Sequence, residues 1–232
     1  MLKGMLAALC LAIAFFGSGI SQTQNKSQQA SMRSTKALRL RDRKSIATKP
    51  QSSVYRINAA QSSFVAHVDS AGLLWFAGHS HSLAVRDFSG TAELNPESLE
   101  TSSLRLTIKT ESLQESDPKF TDQEKKIITG EVKDQVLEAG KYPEIAFNSQ
   151  QVSGKKVGDK YELQIAGQLN LHGVTRQIVI PTEVSADGRN LRATGRFSID
   201  RTDYNVKATS VKSGMVRASA KVTFTFDIVA ER

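Results

Sequence analysis

The chain has 232 residues, with 31 Lys or Arg against 23 Asp or Glu, a formal net charge of +8 and a single cysteine. The excess charge is confined: residues 22–50 carry eight basic residues and one acid, Asp42, whereas residues 51–232 carry 22 of each sign. A basic folded surface of the kind that binds nucleic acid is therefore excluded, and with Cys10 alone so are intramolecular disulfides and thiolate metal sites.

In chain order, Met1 to about Ser21 has the pattern of a secretory signal peptide: Lys3, an apolar run from Met5 to Phe16, then small residues. The run is shorter than the roughly 20 residues a membrane-spanning helix needs, which favours cleavage over anchoring. Gly17 with Gly19, or Gly19 with Ser21, supply the small residues a signal peptidase needs, and the choice between them stays open. Leu9 precedes Cys10 and the apolar run continues beyond it, which argues against lipid attachment there. A periplasmic or secreted protein is expected. Residues 22–50, rich in Gln, Ser and Lys, read as a disordered basic linker. Such a cluster can make peripheral contact with an anionic membrane, at roughly 1 kcal/mol per basic residue near the surface.

Residues 51–232 read as one domain. Short alternating strands are expected near 54–58, 62–69, 83–95, 102–111, 144–152, 160–171, 175–185, 190–200 and 216–229. Turn residues separate them, as in Asn95-Pro96, Ser153-Gly154, Val157-Gly158-Asp159 and Asp187-Gly188-Arg189. Between Asp117 and Tyr142 the period changes: Phe120, Ile127, Ile128, Val132, Val136 and Leu137 recur at helical spacing. A helical insertion over about 117–140 follows, starting at Asp117-Pro118 or Thr121-Asp122, stopping at Ala139-Gly140, with Gly130 dividing it into two pieces. Inserted between strands, such a helix covers an opening or an edge.

The hairpin Tyr161 to Val184 has the strongest pattern. Tyr161, Leu163, Ile165, Leu169 and Leu171 fall at alternate positions, broken only by Gly167, and Val174, Ile178, Ile180, Thr182 and Val184 repeat the period beyond Leu171-His172-Gly173-Val174. In the last strand Val216, Ala218, Ala220, Val222, Phe224, Phe226 and Ile228 alternate with polar residues. Many antiparallel strands with one apolar face each can bury them in a sandwich or in a closed barrel, and the residue pattern leaves both open.

Five segments then resemble the YceI family of periplasmic polyisoprenoid-binding, lipocalin-like proteins. They are Val54–Asn58 with Ser62–Phe64, Phe88–Leu94, Tyr142–Ser149, Gly167–Thr175 and Phe197–Tyr204, and the likeness covers about residues 54–230. It implies an all-β fold, an eight-stranded antiparallel lipocalin-like barrel with a helix near one end and a long apolar bore. It further implies a binding protein, not an enzyme, that holds an isoprenoid, quinone-like molecule or other long-chain lipid and needs no cofactor. Selectivity for the chain would rest on shape. Two stretches depart from the family pattern: Gly72–Ser82, with its Gly-His-Ser-His, and Lys133–Leu137. Both are expected near a barrel mouth and bear on ligand identity.

Candidate lining residues, chosen for their place on apolar faces, are Phe64, Phe88, Leu106, Ile108, Phe147, Leu163, Ile165, Leu169, Phe197 and Phe224, with Trp75 and Phe76 as further aromatics. His79 and His81, two apart on a strand, point to one side. They serve a polar rim, contact a ligand head group, or share a metal with His67 or His172 as a third ligand, the basis of an alternative metal-binding or redox role. A ligand-free adaptor barrel is the third alternative. His172, at a tight corner, is expected to bond the backbone of its turn, and Asp200 and Asp203 to bond turn amides or Arg201. No nucleophile elbow, phosphate loop or HExxH zinc motif is present in the sequence. Whether the chain pairs as a homodimer is not written in these patterns.

Overall fold

Alternation of hydrocarbon and polar side chains sets the architecture. The computed structural model describes residues 52–72, 78–207, 210–211 and 216–232. The expected signal peptide and basic linker, with Trp75 and Phe76, lie outside the described residues. The strands are β1 (Ser53–Ile57), β2 (Ser63–Ala71), β3 (His81–Val85), β4 (Phe88–Leu94), β5 (Ser103–Lys109), β6 (Leu113–Glu115), β7 (Glu144–Val157), β8 (Lys160–Leu171), β9 (Val174–Ala186), β10 (Asn190–Asp200), β11 (Ser210–Val211) and β12 (Val216–Glu231).

Three pairs of short strands are halves of bent ones. β1 runs into β2 through a 3-10 turn at Ala59–Gln61, β3 into β4 through Arg86-Asp87, and β5 into β6 through a 3-10 turn at Thr110–Ser112. Both halves keep the same neighbours, since β4 pairs with β1 and β5 while β3 pairs with β2 and β6. Side chains take over where the ladder bends: Ser62 Oγ donates to Asn58 O at 2.7 Å and accepts from Val229 N at 2.9 Å. Counted as continuous strands, eight run antiparallel in up-and-down order. β12 closes the sheet, pairing with β10 along one edge and with β1 and β2 along the other. Closure removes the exposed edges that an open sheet presents. The two-membered choice left by the sequence pattern is thus resolved in favour of the barrel.

The hairpin turns follow their residue types. His172 (φ 52°) and Gly173 (φ 75°) both sit in the left-handed region, the pair of angles a two-residue type I′ turn requires. At the β9–β10 corner Asp187 Oδ1 accepts from Arg189 N and Asn190 N at 3.1 and 2.7 Å. Ser153-Gly154 is not a turn, however: β7 continues to Val157, with Gly154 paired to Leu163. Its lack of a side chain serves close packing instead, because a Cβ there would lie 2.1 Å from Glu162 O.

The helix α1 spans Asp122–Glu131, and Thr121 caps it reciprocally with Glu124: Thr121 N donates to Glu124 Oε2 at 2.7 Å and Glu124 N to Thr121 Oγ1 at 3.3 Å. Gly130 does not divide it. The change comes two residues later, where Val132–Val136 widens into a π-turn. Glu138 (φ 46°) then takes the left-handed position and ends the element, with Tyr142 N donating to Glu138 O at 2.9 Å. Among the described strands β6 pairs only with β3, and α1 packs beside it, with Glu115 N bonded to Thr129 Oγ1 at 3.0 Å. The helix therefore covers both an unpaired edge and the adjoining end of the barrel.

Gly167, the one interruption in the apolar face of β8, lies opposite Ser149, where β7 carries a bulge between Ser149 and Gln151. A Cβ at Gly167 would come within 2.3 Å of Asn148 O and 2.7 Å of Phe147 Cζ. Gly167→Ala is expected to destabilise the barrel by about 1–3 kcal/mol, as overpacking does. Thermal unfolding should show a Tm lower by roughly 5 °C, and an unchanged Tm would show that the bulge yields without strain.

Candidate functional site

The inward faces of the strands do not fill the barrel. A cavity of about 140 Å³ runs inside it, walled by Phe64, Leu104, Leu106, Ile108, Phe147, Leu163, Ile165, Leu169, Ile178, Phe197, Phe224, Phe226 and neighbouring aliphatic residues. Thr182 is a polar group of this wall, and its hydroxyl donates to Ile180 O of its own strand at 3.2 Å. Four phenylalanines gather on adjacent strands: Phe197 stacks on Phe224 at 4.9 Å between ring centroids, and Phe64 lies 5.9 Å from Phe224 and 6.2 Å from Phe226.

A second, wider chamber of about 360 Å³ adjoins the first, sharing Ala66, Leu113, Ile145, Leu171 and Phe224 with it. Ile128, Val132, Val136 and Leu137 of the helical segment roof it. Its polar rim holds Ser70, His79, His81, Glu131 and Arg201. Of the residues expected to line a bore, Phe64, Leu106, Ile108, Phe147, Leu163, Ile165, Leu169, Phe197 and Phe224 face the inner cavity, while His79 and His81 face the wider chamber. Phe88 is the exception. It is buried at the bend between β3 and β4, its ring 6.4 Å from Phe64, and does not border the cavity. Phe226 was the converse omission: it has the same period as Phe224 and belongs to the wall.

Near the chamber Glu115, whose side chain is fully buried, makes four hydrogen bonds. Its Oε1 accepts from the backbone amides of Ser82, Ser116 and Asp117 at 3.2, 2.9 and 2.8 Å, and its Oε2 bonds His81 Nδ1 at 2.9 Å. One carboxylate thus joins β3, β6 and the segment leading to α1. The His81 ring is also stacked on Phe120, 5.3 Å away at 10°, while the exposed His79 meets the same ring edge-on at 5.9 Å. Arg201 closes the opposite side: its Nε, Nη1 and Nη2 donate to Ser219 O, Val206 O and Ala218 O at 3.0, 2.7 and 3.3 Å. Two of those carbonyls belong to the irregular stretch of β12 between Ala218 and Val222.

The other histidines stand apart. His67 bridges Ser82 Oγ and Thr225 Oγ1 at 3.3 and 3.0 Å. His172 bonds Glu138 Oε2 at 2.8 Å through Nε2, so its partner is the carboxylate at the helix end and not the turn backbone. Its ring centroid lies 4.2 Å from that of Tyr142, and the contact ties the β8–β9 corner to the end of the helical segment. Among the described residues no three His, Cys, Asp or Glu side chains are grouped to hold a metal ion. Asp200 Oδ1 accepts from Thr202 N and Thr202 Oγ1, bonds that hold its carboxyl below the usual aspartate range. Burial pushes the Tyr204 phenol up. Among the described residues no helix is long and apolar enough to cross a membrane.

The YceI-like domain model matches residues 55–230. Protein YceI of Escherichia coli is 28% identical over 148 residues, covering 60% of this chain and 68% of that protein. A UPF0312 protein of Vibrio campbellii is 33% identical over 103 residues, 44% of this chain; the chain thus spans about half the length of that relative (49%). Among solved structures, Burkholderia cenocepacia BcnA superposes with a TM-score of 0.59 at 22% identity, over 75% of this chain and 98% of BcnA. A polyisoprenoid binding domain from Saccharophagus degradans, implicated in plant cell wall breakdown, gives 0.56 at 16% identity, over 76% and 97% of the two chains. At these identities the structural likeness establishes the barrel.

Glu115 had no signal in the sequence, because its donors come from a strand 33 residues away and from the chain that follows it. Glu115→Ala leaves the half-buried amides of Ser82 and Asp117 without their acceptor, while Ser116 N keeps Ser82 O at 2.8 Å, and is expected to cost about 2–3 kcal/mol. Denaturant unfolding should show the loss, with Glu115→Gln falling between, since an amide oxygen replaces only part of the carboxylate. Equal stability of Glu115→Ala and wild type would mean that water or rearranged backbone takes over those bonds.

Proposed function

The chain belongs to the YceI-like family, and from that premise we propose that it is an exported binding protein that holds a long-chain apolar ligand inside its barrel. The ligand class is an isoprenoid, quinone-like molecule or acyl lipid, and no catalytic step is involved. One observation carries the reading: two adjoining chambers of about 140 and 360 Å³, walled by hydrocarbon and sharing five residues, form an apolar path into the sheet. Such a wall rewards length and flexibility of the chain. Removing about 300 Å² of hydrocarbon from water contributes roughly 7 kcal/mol at ~25 cal/mol per Å², before the costs of immobilising ligand and side chains. The polyisoprenoid-binding domain that shares the barrel supports a ligand of that class.

Export is supported by the apolar run from Met5 to Phe16 behind Lys3, and peripheral contact with anionic membrane by the eight basic residues of 22–50. A membrane-adjacent carrier would exchange its cargo where that cargo is soluble, in the bilayer.

Native mass spectrometry with organic extraction, on protein from its own cell envelope, tests the reading. A co-purifying long-chain species, one per chain, is the expected result. A clean apo mass after envelope purification would favour a ligand-free adaptor, and a stoichiometric metal mass would favour the histidine-based alternative. Leu163 stands in the wall of the inner cavity and is buried. Leu163→Arg places a charge there and should abolish retention of the extracted species. Full retention by a folded Leu163→Arg protein would remove the inner cavity from the binding path.

A further inference from the structure

The rim of the wider chamber contains one imidazole ring held in place by both a hydrogen bond and stacking. As a carboxylate, Glu115 offers only acceptors, three of them engaged by amides through Oε1 and one bonded to His81 Nδ1 through Oε2. In the neutral ring Nδ1 is therefore the donor and the lone pair lies on Nε2. Stacking on Phe120 fixes the ring plane. His81 borders the chamber, and no described side chain or amide donates to its Nε2. The result is a pre-oriented acceptor at the mouth of an apolar chamber.

We infer that Nε2 of His81 accepts a hydrogen bond from a hydroxyl at the head of the bound lipid. The ligand class narrows to a neutral long-chain alcohol or phenol, as against a phosphate ester. This rests on the lipid-binding reading above and deepens it. The charge around the chamber points the same way. Arg201 is the guanidinium on the rim, and each of its three nitrogens already donates to a backbone carbonyl. Glu131 lines the chamber and Glu115 lies directly behind His81. A phosphorylated head would meet the carboxylate of Glu131, while the rim guanidinium is already bonded to backbone carbonyls. A hydroxyl meets a lone pair. His79, exposed and edge-on to Phe120, is not held by a carboxylate in this way.

The test compares a C20 isoprenol, its methyl ether and its monophosphate, each competing with a lipophilic fluorescent probe on the full chain. Wild type is expected to prefer the alcohol to the ether by about tenfold, the effect of one hydrogen bond. In His81→Phe that ratio should fall to about one while the affinity for the ether stays within roughly twofold, which also shows that the variant folds. A preference that survives in His81→Phe, or a monophosphate that outcompetes the alcohol in wild type, overturns the assignment. Ether and alcohol binding equally to wild type overturns it too, while leaving the lipid-binding reading intact. Failure of all three to compete overturns that reading, and the inference with it.

Discussion

The structure depends on one strand being paired along both edges. β12 carries the ladder to β10 from Asn190↔Glu231 to Asp200↔Lys221, and on its other side meets β1 at Ile57↔Ala230 and β2 from Asp227↔Ser63 onward. Without that double pairing the first and last strands would be open edges, and the inward Leu, Ile, Val and Phe side chains would face solvent along a seam. With it, the alternating faces enclose a space that the side chains need not fill. The cavity is thus a consequence of closure, and the family's reading as a binding barrel follows from the same geometry.

Closure of eight strands around unfilled space makes the ends the difficult part. The first three strands bend, at Ala59–Gln61, Arg86-Asp87 and Thr110–Ser112, and past the last of these bends β6 loses β7 as a neighbour. The helical segment stands in for the missing strand. Its start is locally determined by the Thr121–Glu124 capping box. Its end is held by tertiary contact, through Glu138 and His172. Since Val132, Val136 and Leu137 roof the wider chamber, the chamber's size is set by how that segment is tethered at its two ends.

What could be read from the sequence was whatever local periodicity encodes. The β8–β9 hairpin has period two on both arms and a left-handed pair at its corner, and it folds as its pattern says. Phe64, Leu163 and Phe197 share that logic and face the cavity. Phe88 obeys the same alternation, yet its ring packs near Phe64 without bordering the cavity; alternation assigns a face and not a depth. Gly154 has the composition of a turn but the job of a close approach, a distinction that depends on the strand opposite it. The bulge at Ser149–Gln151 and the π-turn at Val132–Val136 are likewise tertiary in origin, which is why Gly130 misled. Glu115 and Arg201 were hardest to see, because most of their partners are backbone groups, which carry no side-chain signature.

These last two residues share a principle. A sheet that bends or bulges leaves backbone donors and acceptors unpaired, and burying them without partners is costly. At the helix end of the barrel the deficit has both signs. Amides of Ser82 and Asp117 need an acceptor, and the carboxylate of Glu115 provides it while sharing the Ser116 amide with Ser82 O. Carbonyls of Val206, Ala218 and Ser219 need donors, and the guanidinium of Arg201 provides them. The two charges are thereby committed to the frame, one on each side of the opening. An apolar chamber can then have charged residues at its mouth and still present a nearly neutral surface to whatever enters it, because those charges are already matched to the protein's own backbone.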